Sequence, residues 1–549
     1  MPAERAPPEK KSVAVEVANA LRELGVKYVF GVPSGGWVDY MEALRKADGI
    51  EFILTTHEGG AGMMADVCGR LSKAPGICFG TFGPGATNLA TGVGEALLDR
   101  SPMIAFTDEM PAPMRGRTTQ MGIDHQALFQ PLTKKTTRLR AEAVRSILFD
   151  AARVALEGRP GPVHVGLPVG LSTEEVVPEN IAFTPPPPPP PADAALLDKA
   201  AKLFQASRKP ILAAGLGAVR ADVQKEIQAL AEKHKIPVVL TPMAKGLLAE
   251  DHPCYAGVLF HALSNMVGET HRQADLAIGV GYDPVEFNYE SWMPKAAPLI
   301  SFDIVRADLD TDAYTLAVDA VGDIHNSLQA LLALPAGAKD WDLDALAERR
   351  KAMFAKLEPS NQGFGPKAAL AILRDVLPDE GIMTCDVGAH THLIGQMWRT
   401  PAPGLQIMTN GWSAMGFGIP AAIAAKLVRP EKPVCAVVGD GGFLMTAGEL
   451  ATAVRCNLKL VVLVLTDNDL ALIRIKQQKK GHPIYGTPVR GKGTIGGDNI
   501  FGVPVRTATD GIALRKELEA AFAADGPVIV EAIVDSREYD GVVLKKDKP

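Results

Sequence analysis

Apolar, largely β-branched runs recur along the chain, each followed by a segment in which apolar residues return every three or four positions. The runs are Tyr28–Val32, Gly76–Gly80, Pro102–Thr107, Val163–Val165, Ile211–Ala214, Val238–Leu240, Leu276–Val280, Val434–Val438, Leu460–Leu465 and Val528–Val534. They are continuously apolar rather than alternating, which is the pattern of strands buried on both faces. Strands of that kind alternating with amphipathic helices predict an α/β chain of doubly wound parallel sheets. Two breaks punctuate the pattern. Pro185 to Pro191 is an unbroken proline run, which must adopt polyproline II and cannot donate to a sheet. It reads as a stiff surface linker, a docking peptide for a proline-binding partner being the other use of such a run. The second break is the charged helical stretch Asp340–Leu357, followed by Pro359–Pro366. Three α/β domains are expected, over residues 10–183, 192–345 and 360–549.

Composition narrows the function. With 549 residues, 47% hydrophobic and 22% charged, the chain has ample material for several cores. A net charge of −6 gives no whole-chain basis for nucleic-acid binding. The six cysteines (Cys68, Cys78, Cys254, Cys385, Cys435, Cys456) are scattered without a C-x-x-C pair, so neither a zinc framework nor a secreted disulfide scaffold is expected. The N-terminal segment mixes acids and prolines and runs into no apolar core of a signal peptide. The longest apolar runs fall far short of a membrane span. These readings predict a cytoplasmic protein with no nucleic-acid or membrane partner.

The strongest chemical signal lies in the third segment. The strand Val434–Val438 opens into Gly439-Asp440-Gly441-Gly442-Phe443, ahead of a helical pattern from Thr446 to Cys456. The next strand, Leu460–Leu465, ends in Thr466-Asp467-Asn468-Asp469. Two consecutive strands therefore each deliver a carboxylate at the C-terminal end, where parallel α/β sheets bind ligands. Gly441 and Gly442 let the backbone approach a phosphate. Hard oxygen donors beside a phosphate-sized loop suit Mg2+, which takes few protein carboxylates together with phosphate oxygens. Asp467 and Asn468 read alone would merely cap a turn. In the middle segment, Gly215-Leu216-Gly217 follows a strand but lacks the third glycine of a dinucleotide turn, so an ordinary strand-to-helix turn is expected there.

The G-D-G … T-D-N stretch resembles the diphosphate-binding motif of thiamine-diphosphate-dependent enzymes, and the resemblance extends along nearly the whole chain. His57-Glu58 resembles the family's activating glutamate after a strand. Gly83-Pro84-Gly85-Ala86-Thr87-Asn88 resembles the G-P-G-A-T-N turn of the acetolactate-synthase-like branch. Thr409–Pro420 (T-N-G-W-S-A-M-G-F-G-I-P) resembles the stretch that cradles the bent cofactor, and Gly281–Glu286 (G-Y-D-P-V-E) resembles the middle domain of catabolic acetolactate synthases. The implied order is a pyrimidine-binding, a central and a diphosphate-binding domain.

The resemblance assigns roles residue by residue. Glu58 would hydrogen-bond the pyrimidine N1′ and help the cofactor lose its C2 proton; without the third-segment motif it reads as a charge at a helix N-terminus. Met415 would wedge the cofactor into its bent shape, and the backbone of Ser413 would receive the 4′-amino group. Asp440, Asp467 and the backbone carbonyl of Asp469 would hold Mg2+, with Gly441, Gly442 and Asn468 around the diphosphate. His390 and Thr391, in Asp386–Thr391, would contact the diphosphate from a second loop. Pro33 and Gly83 complete the cofactor-binding set. Asp467, Asp469, Leu470 and Ala471 depart from the common Asn-Asn then Gly-Tyr-Gly pattern, which leaves the backbone geometry at Asp469 open.

Gln120 aligns by local pattern with the glutamine that carboligating members place near the substrate carbonyl. Its amide can donate to a developing alkoxide without offering a ready proton to a carbanion. Otherwise it is a solvated loop residue. Gly122-Ile123-Asp124 also resembles benzaldehyde-lyase-like carboligases, and His125, next in line, could supply a proton. Gly257–His261 replaces the G-M-H-G stretch of flavin-containing acetolactate synthases, so FAD is not expected. The glycine-rich Gly491–Phe501 is expected to stand where the family has a long covering helix. The expected activity is a thiamine-diphosphate- and Mg2+-dependent carboligase using a 2-oxo acid donor and a 2-oxo acid or aldehyde acceptor, in a homodimer or homotetramer. A lyase is the alternative, either a 2-oxo acid decarboxylase or an acyloin-cleaving enzyme. A purely regulatory scaffold has no use for carboxylates at a phosphate site, which argues against that third class.

Overall fold

The computed structural model describes residues 9–259, 262–286, 296–360, 363–489 and 495–543. Their contacts form two compact units. One comprises the chain through Pro187 with Ile423–Pro430 and Thr446–Leu458; the other comprises Pro188–Ala422, Glu431–Met445 and the chain from Lys459 onward.

The first unit is built on six parallel strands, ordered Glu51–Leu54, Tyr28–Gly31, Gly76–Gly80, Met103–Glu109, Pro162–Pro168 and Lys135–Arg138. Every residue of Gly76–Gly80 and Met103–Glu109 is buried, as continuous apolar runs require of central strands. Of the two edge strands, Lys-Thr-Thr-Arg is polar throughout, and Glu-Phe-Ile-Leu is apolar after its first residue but leaves Glu51 and Leu54 exposed. Helices Val13–Glu23, Glu58–Leu71, Pro84–Leu98 and Val144–Leu156 cover the sheet. Helices Glu58–Leu71 and Pro84–Leu98 touch through Gly62 and Gly92: a Cβ on Gly62 would lie 2.8 Å from the Gly92 Cα. Trp37 stacks on Phe79 with ring centroids 4.1 Å apart in the core beneath.

The second unit holds two further sheets. One has six parallel strands, ordered Tyr255–Val258, Val238–Leu240, Pro210–Ala214, Leu276–Val280, Leu299–Asp303 and Leu316–Val321. Its winding reverses between Pro210–Ala214 and Leu276–Val280, the place where such sheets open a crevice. The other has seven strands, ordered Gln406–Met408, Ile382–Cys385, Val434–Gly439, Val461–Thr466, Val528–Ile533, Val503–Ala508 and Asn499–Ile500, of which only the last pair is antiparallel. The fold is therefore α/β with three doubly wound, mostly parallel sheets.

One local expectation needs correction. The helix expected over Thr446–Cys456 begins earlier, at Asp440, and is broken: Asp440–Thr446 is helical, Ala447–Glu449 is a tighter 3₁₀ turn, and Leu450–Arg455 resumes the helix. The Gly441-Gly442 pair thus sits inside a first helical turn. The charged stretch taken as a boundary contains the helix Leu343–Ala355, which buries Leu346 and Met353 in the core of the second unit. The proline run has no helix or strand and is mostly exposed, although the Pro190 carbonyl accepts the Asp323 N–H at 2.8 Å. Phe260 and His261, and residues 491–494 of the glycine-rich stretch, lie outside the described residues; the rest of that stretch enters the short strand Asn499–Ile500. Among the described residues, no helix is long and apolar enough to cross a membrane.

Candidate functional site

In the first unit the strand Glu51–Leu54 ends in a turn that delivers Glu58 as the first residue of the helix Glu58–Leu71. His57 caps that helix, its Nδ1 accepting the Gly59 N–H at 3.0 Å. Both sequence readings of Glu58 thus meet: it is a charge at a helix N-terminus, and it is also buried, 7% exposed. Its carboxylate accepts the Asn88 amide at 3.0 Å, which joins the His57-Glu58 motif to the G-P-G-A-T-N turn. A Cβ on Gly85 would lie 3.2 Å from the Glu58 carboxylate, so that turn approaches it closely. Gly83 adopts φ +47° at the head of the helix Pro84–Leu98. Its N–H is taken by His125 and its carbonyl by the Thr87 N–H, so its polar groups serve the turn itself. Pro33 is exposed just past the strand Tyr28–Gly31, and Gln120 is exposed on the loop between Arg117 and Asp124.

In the second unit the loops after Ile382–Cys385, Val434–Gly439 and Val461–Thr466 enclose a cavity of about 120 Å3. Gly388, His390, Met415, Asp440, Asp467 and Leu470 are among its walls. Asp440 is 2% exposed. Its carboxylate accepts the Asn468 N–H at 2.7 Å and its own neighbour's, Gly441, at 2.8 Å, tying the two acidic loops together. Asp467 accepts the Asp469 N–H at 3.0 Å. Burial, and then the charge of Asp440, push the Asp467 carboxyl up to about 7. Asp440 is buried and Asp467 half-buried, and a divalent cation bound there would relieve the repulsion that raises Asp467. Among the described residues no group of three His, Cys, Asp or Glu is arranged to hold a metal. The remaining donors would have to be backbone carbonyls and the ligand's own phosphate oxygens, which suits Mg2+. One oxygen of the Asp469 side chain pairs with Arg474 at 2.8 Å, while its other oxygen is buried without a hydrogen-bond partner.

The second loop is cross-braced by its own hydrogen bonds. Asp386 accepts His390 Nε2 at 2.9 Å with one oxygen and the Gly416 N–H at 3.0 Å with the other. A Cβ on Gly442 would fall 1.6 Å from that second oxygen, so only glycine fits there. The Thr391 hydroxyl donates to the Asp386 carbonyl at 2.5 Å and accepts the Gly388 N–H at 2.9 Å, closing the turn. Ser413 adopts φ +61°, with its N–H on Thr409 and its hydroxyl on the Asn410 carbonyl, which leaves its own carbonyl as the group through which it could act. Met415 Cε would stand 3.3 Å from a Cβ on Gly441.

Three participants were not singled out from sequence. Asn88, within a motif read as a turn, is the Glu58 partner. Glu449, 1% exposed in an otherwise ordinary helical pattern, accepts the N–H groups of Thr56 and His57. Tyr539 closes the cavity, and burial together with the nearby Asp467 and Asp440 charges holds its hydroxyl well above the usual range. Only the pairing of Asn88 with a buried acid 30 residues away had any sequence signal, the G-P-G-A-T-N motif itself.

Comparison with known proteins agrees with this arrangement. Residues 11–128 match the model of the thiamine pyrophosphate enzyme N-terminal TPP binding domain, 197–331 that of the central domain and 386–532 that of the C-terminal TPP binding domain. A probable acetolactate synthase large subunit of Methanocaldococcus jannaschii is 30% identical, the alignment covering 96% of this chain and 92% of that protein. The acetolactate synthase of Bacillus subtilis is 30% identical over 97% of this chain and 94% of its own length. The acetolactate synthase isozyme 2 large subunit of Escherichia coli is 30% identical over 95% of each. The chain belongs to the thiamine pyrophosphate enzyme family, in its acetolactate-synthase-like branch.

Proposed function

We propose that the protein is a thiamine-diphosphate- and Mg2+-dependent carboligase that joins a 2-oxo acid donor to a second carbonyl compound. The observation that carries this reading is the pair formed by buried Asp440 and half-buried Asp467 at the ends of adjacent strands, beside the Gly441-Gly442 turn. Asp440, Asp467 and the Asp469 carbonyl would hold Mg2+, and the amides around Gly441, Gly442 and His390 would face the diphosphate. Bound there, thiamine diphosphate supplies a carbon nucleophile for the donor carbonyl and a sink for the electron pair left when CO2 departs. Met415 fills the space beside Gly441 and would orient the ring system. Glu58, held by Asn88, would share a proton with the pyrimidine N1′. Gln120 would donate its amide to the oxygen that gains charge. Incubation with pyruvate, thiamine diphosphate and Mg2+, followed by separation of acetolactate from acetaldehyde, tests the reading; aldehyde alone identifies a lyase.

We infer further that the central domain binds no FAD. At the reversal of its sheet the Leu216 N–H is accepted at 2.9 Å by the chain's own Glu286 carboxylate, and the Gly217 N–H is taken by the Gly281 carbonyl. An anionic ligand has no open donor at that turn. Exposed Trp412, Leu444 and Met445, beside the cofactor loops, support a homodimer or homotetramer that covers them. Six free cysteines fit a reducing, cytoplasmic setting.

A further inference from the structure

His125 is buried in the first unit, 2% exposed, and touches the Gly83 turn on one side and the sheet interior on the other. Its Nε2 accepts the Gly83 backbone N–H at 3.2 Å, and its Nδ1 lies 3.0 Å from the Thr107 hydroxyl. Thr107 is 2.8 Å from Nε2 of His164, whose Nδ1 is 3.1 Å from the Thr136 hydroxyl. Thr136 donates to the Gln126 carbonyl oxygen, and Gln126 Nε2 donates at 2.5 Å to Glu109. Arg138 pairs with the other Glu109 oxygen.

The polarity of this chain is determined from its two ends. A carboxylate paired with arginine only accepts, so the Gln126 amide must turn its nitrogen toward Glu109 and its oxygen toward Thr136. Thr136 then donates to Gln126 and can only accept from His164, which places the His164 proton on Nδ1. His164 Nε2 in turn accepts from Thr107, and Thr107 accepts from His125. At the far end a backbone N–H also only donates, and it requires the same answer: His125 Nε2 is a bare lone pair. Gln126 Nε2 also lies 3.5 Å from His164 Nδ1, but its two hydrogens are taken by Glu109 and by the Thr137 carbonyl at 3.0 Å, so it makes no demand on that ring nitrogen and the shorter links agree. Burial supports a neutral ring in both cases, pushing His125 down to about 4 and His164 well below the histidine range.

We propose that this one-way hydrogen-bond chain makes His125 a positioning residue, an acceptor that fixes the Gly83 turn and offers no proton at that face. The expectation that His125 could supply a proton is thereby replaced. The consequence for product outcome rests on the carboligase reading, in which the Gly83 turn would face the cofactor: an acceptor behind that turn has no proton to give the reacting carbon, which is left to attack a second carbonyl. His125 also borders a cavity of about 400 Å3 in this unit, so water has a route to the ring once it is released.

The test uses the full-length protein with thiamine diphosphate and Mg2+, labelled at the histidine ring nitrogens and read by nuclear magnetic resonance. His125 and His164, identified by loss of signal in His125→Gln and His164→Gln, should each show a protonated Nδ1 and a bare Nε2, unchanged between about pH 6 and 8. A proton on Nε2 of either ring, or titration in that range, overturns the proposal. Thr107→Val removes the side-chain acceptor for the His125 proton, leaving it only the Asp108 backbone; the ring should leave the Gly83 contact, take up water and titrate near the ordinary range. The ratio of aldehyde to carboligation product should then rise about tenfold, the effect of ~1.4 kcal/mol between two competing barriers. Thr107→Ser should restore both readings, and Thr136→Val, which interrupts the same chain farther on, should reproduce them if the first variant does not fold. An unchanged ratio beside a released ring overturns the proton-withholding role. A wild-type protein that forms no carbon–carbon bond refutes the carboligase reading, while the ring-nitrogen signals still decide the chain.

Discussion

The Glu449 carboxylate accepts the backbone N–H groups of both Thr56 and His57, the first at 3.1 Å and the second at 3.1 Å from the same oxygen. Its other oxygen accepts the Thr452 hydroxyl at 2.7 Å. The side chain lies so close to the helix that a Cβ on Gly60 would meet it at 2.4 Å. A residue from the far end of the sequence therefore holds the turn that aims Glu58.

Removing that acceptor should misplace Glu58 without touching any ligand. Glu449→Ala removes the charged acceptor of the Thr56 and His57 N–H groups, bonds to a charged group being worth about 1.5–3 kcal/mol each, so the thermal midpoint should fall and turnover should drop more than about tenfold. Glu449→Gln keeps an oxygen for the two N–H groups and should recover much of both. Equal turnover in the alanine variant and the wild type, measured with saturating cofactor, would show that the contact does not position Glu58.

Glu58→Gln keeps the Asn88 contact in shape but cannot share a proton. Cofactor affinity should stay near wild type while turnover falls by roughly 10²–10⁴-fold, the contribution of a lost acid/base group. Hydrogen–deuterium exchange at the cofactor C2 reads the step directly, and a normal exchange rate in this variant would contradict the assignment.

On the proposed reading, Asp440→Ala should abolish binding of Mg2+ and of the diphosphate together, because a cation held at Asp440 would link the phosphate to the protein. The substitution also releases the Asn468 N–H, loosening the turn that carries Asp467. Calorimetric titration of thiamine diphosphate with and without Mg2+ is the measurement; unchanged affinity in the variant would place the cofactor elsewhere.

Gln120→His introduces a group that titrates near neutral pH where an amide is expected to face the donor oxygen. Product should move from carboligation toward aldehyde while donor consumption falls less. A ratio that stays the same in both Gln120→His and Gln120→Ala would remove the side chain from control of partition.

Glu286 predicts a pH effect of defined sign. Burial pushes its carboxyl from 4.5 up to about 7. The folded chain therefore holds a proton that the unfolded chain has released over that window, so stability falls as pH rises from about 4.5 to about 7. The loss is on the order of 3 kcal/mol at 1.36 kcal/mol per pH unit. Glu286→Gln should be about as stable as wild type at pH 5 and more stable at pH 8; urea midpoints that differ by the same amount at both pH values would refute the buried acid.

The central strands were legible in sequence because a strand buried on both faces must be apolar throughout, a local property that Gly76–Gly80, Val238–Leu240 and Leu276–Val280 carry without reference to any partner. Edge strands such as Lys135–Arg138 were not, since one exposed margin lets polar residues in and erases the pattern. The two acidic loops at Asp440 and Asp467 were legible for the same local reason, each being a glycine- or turn-rich break directly after an apolar strand. The tertiary structure alone decided which distant groups meet. Asn88 reaches Glu58 because two helices approach through Gly62 and Gly92, and Glu449 reaches Thr56 across 393 positions of sequence. The state of His125 belongs to the same class: a histidine in sequence has two nitrogens of equal standing, and only the neighbours packed around it, ending at Glu109 and Gly83, determine which one carries the proton.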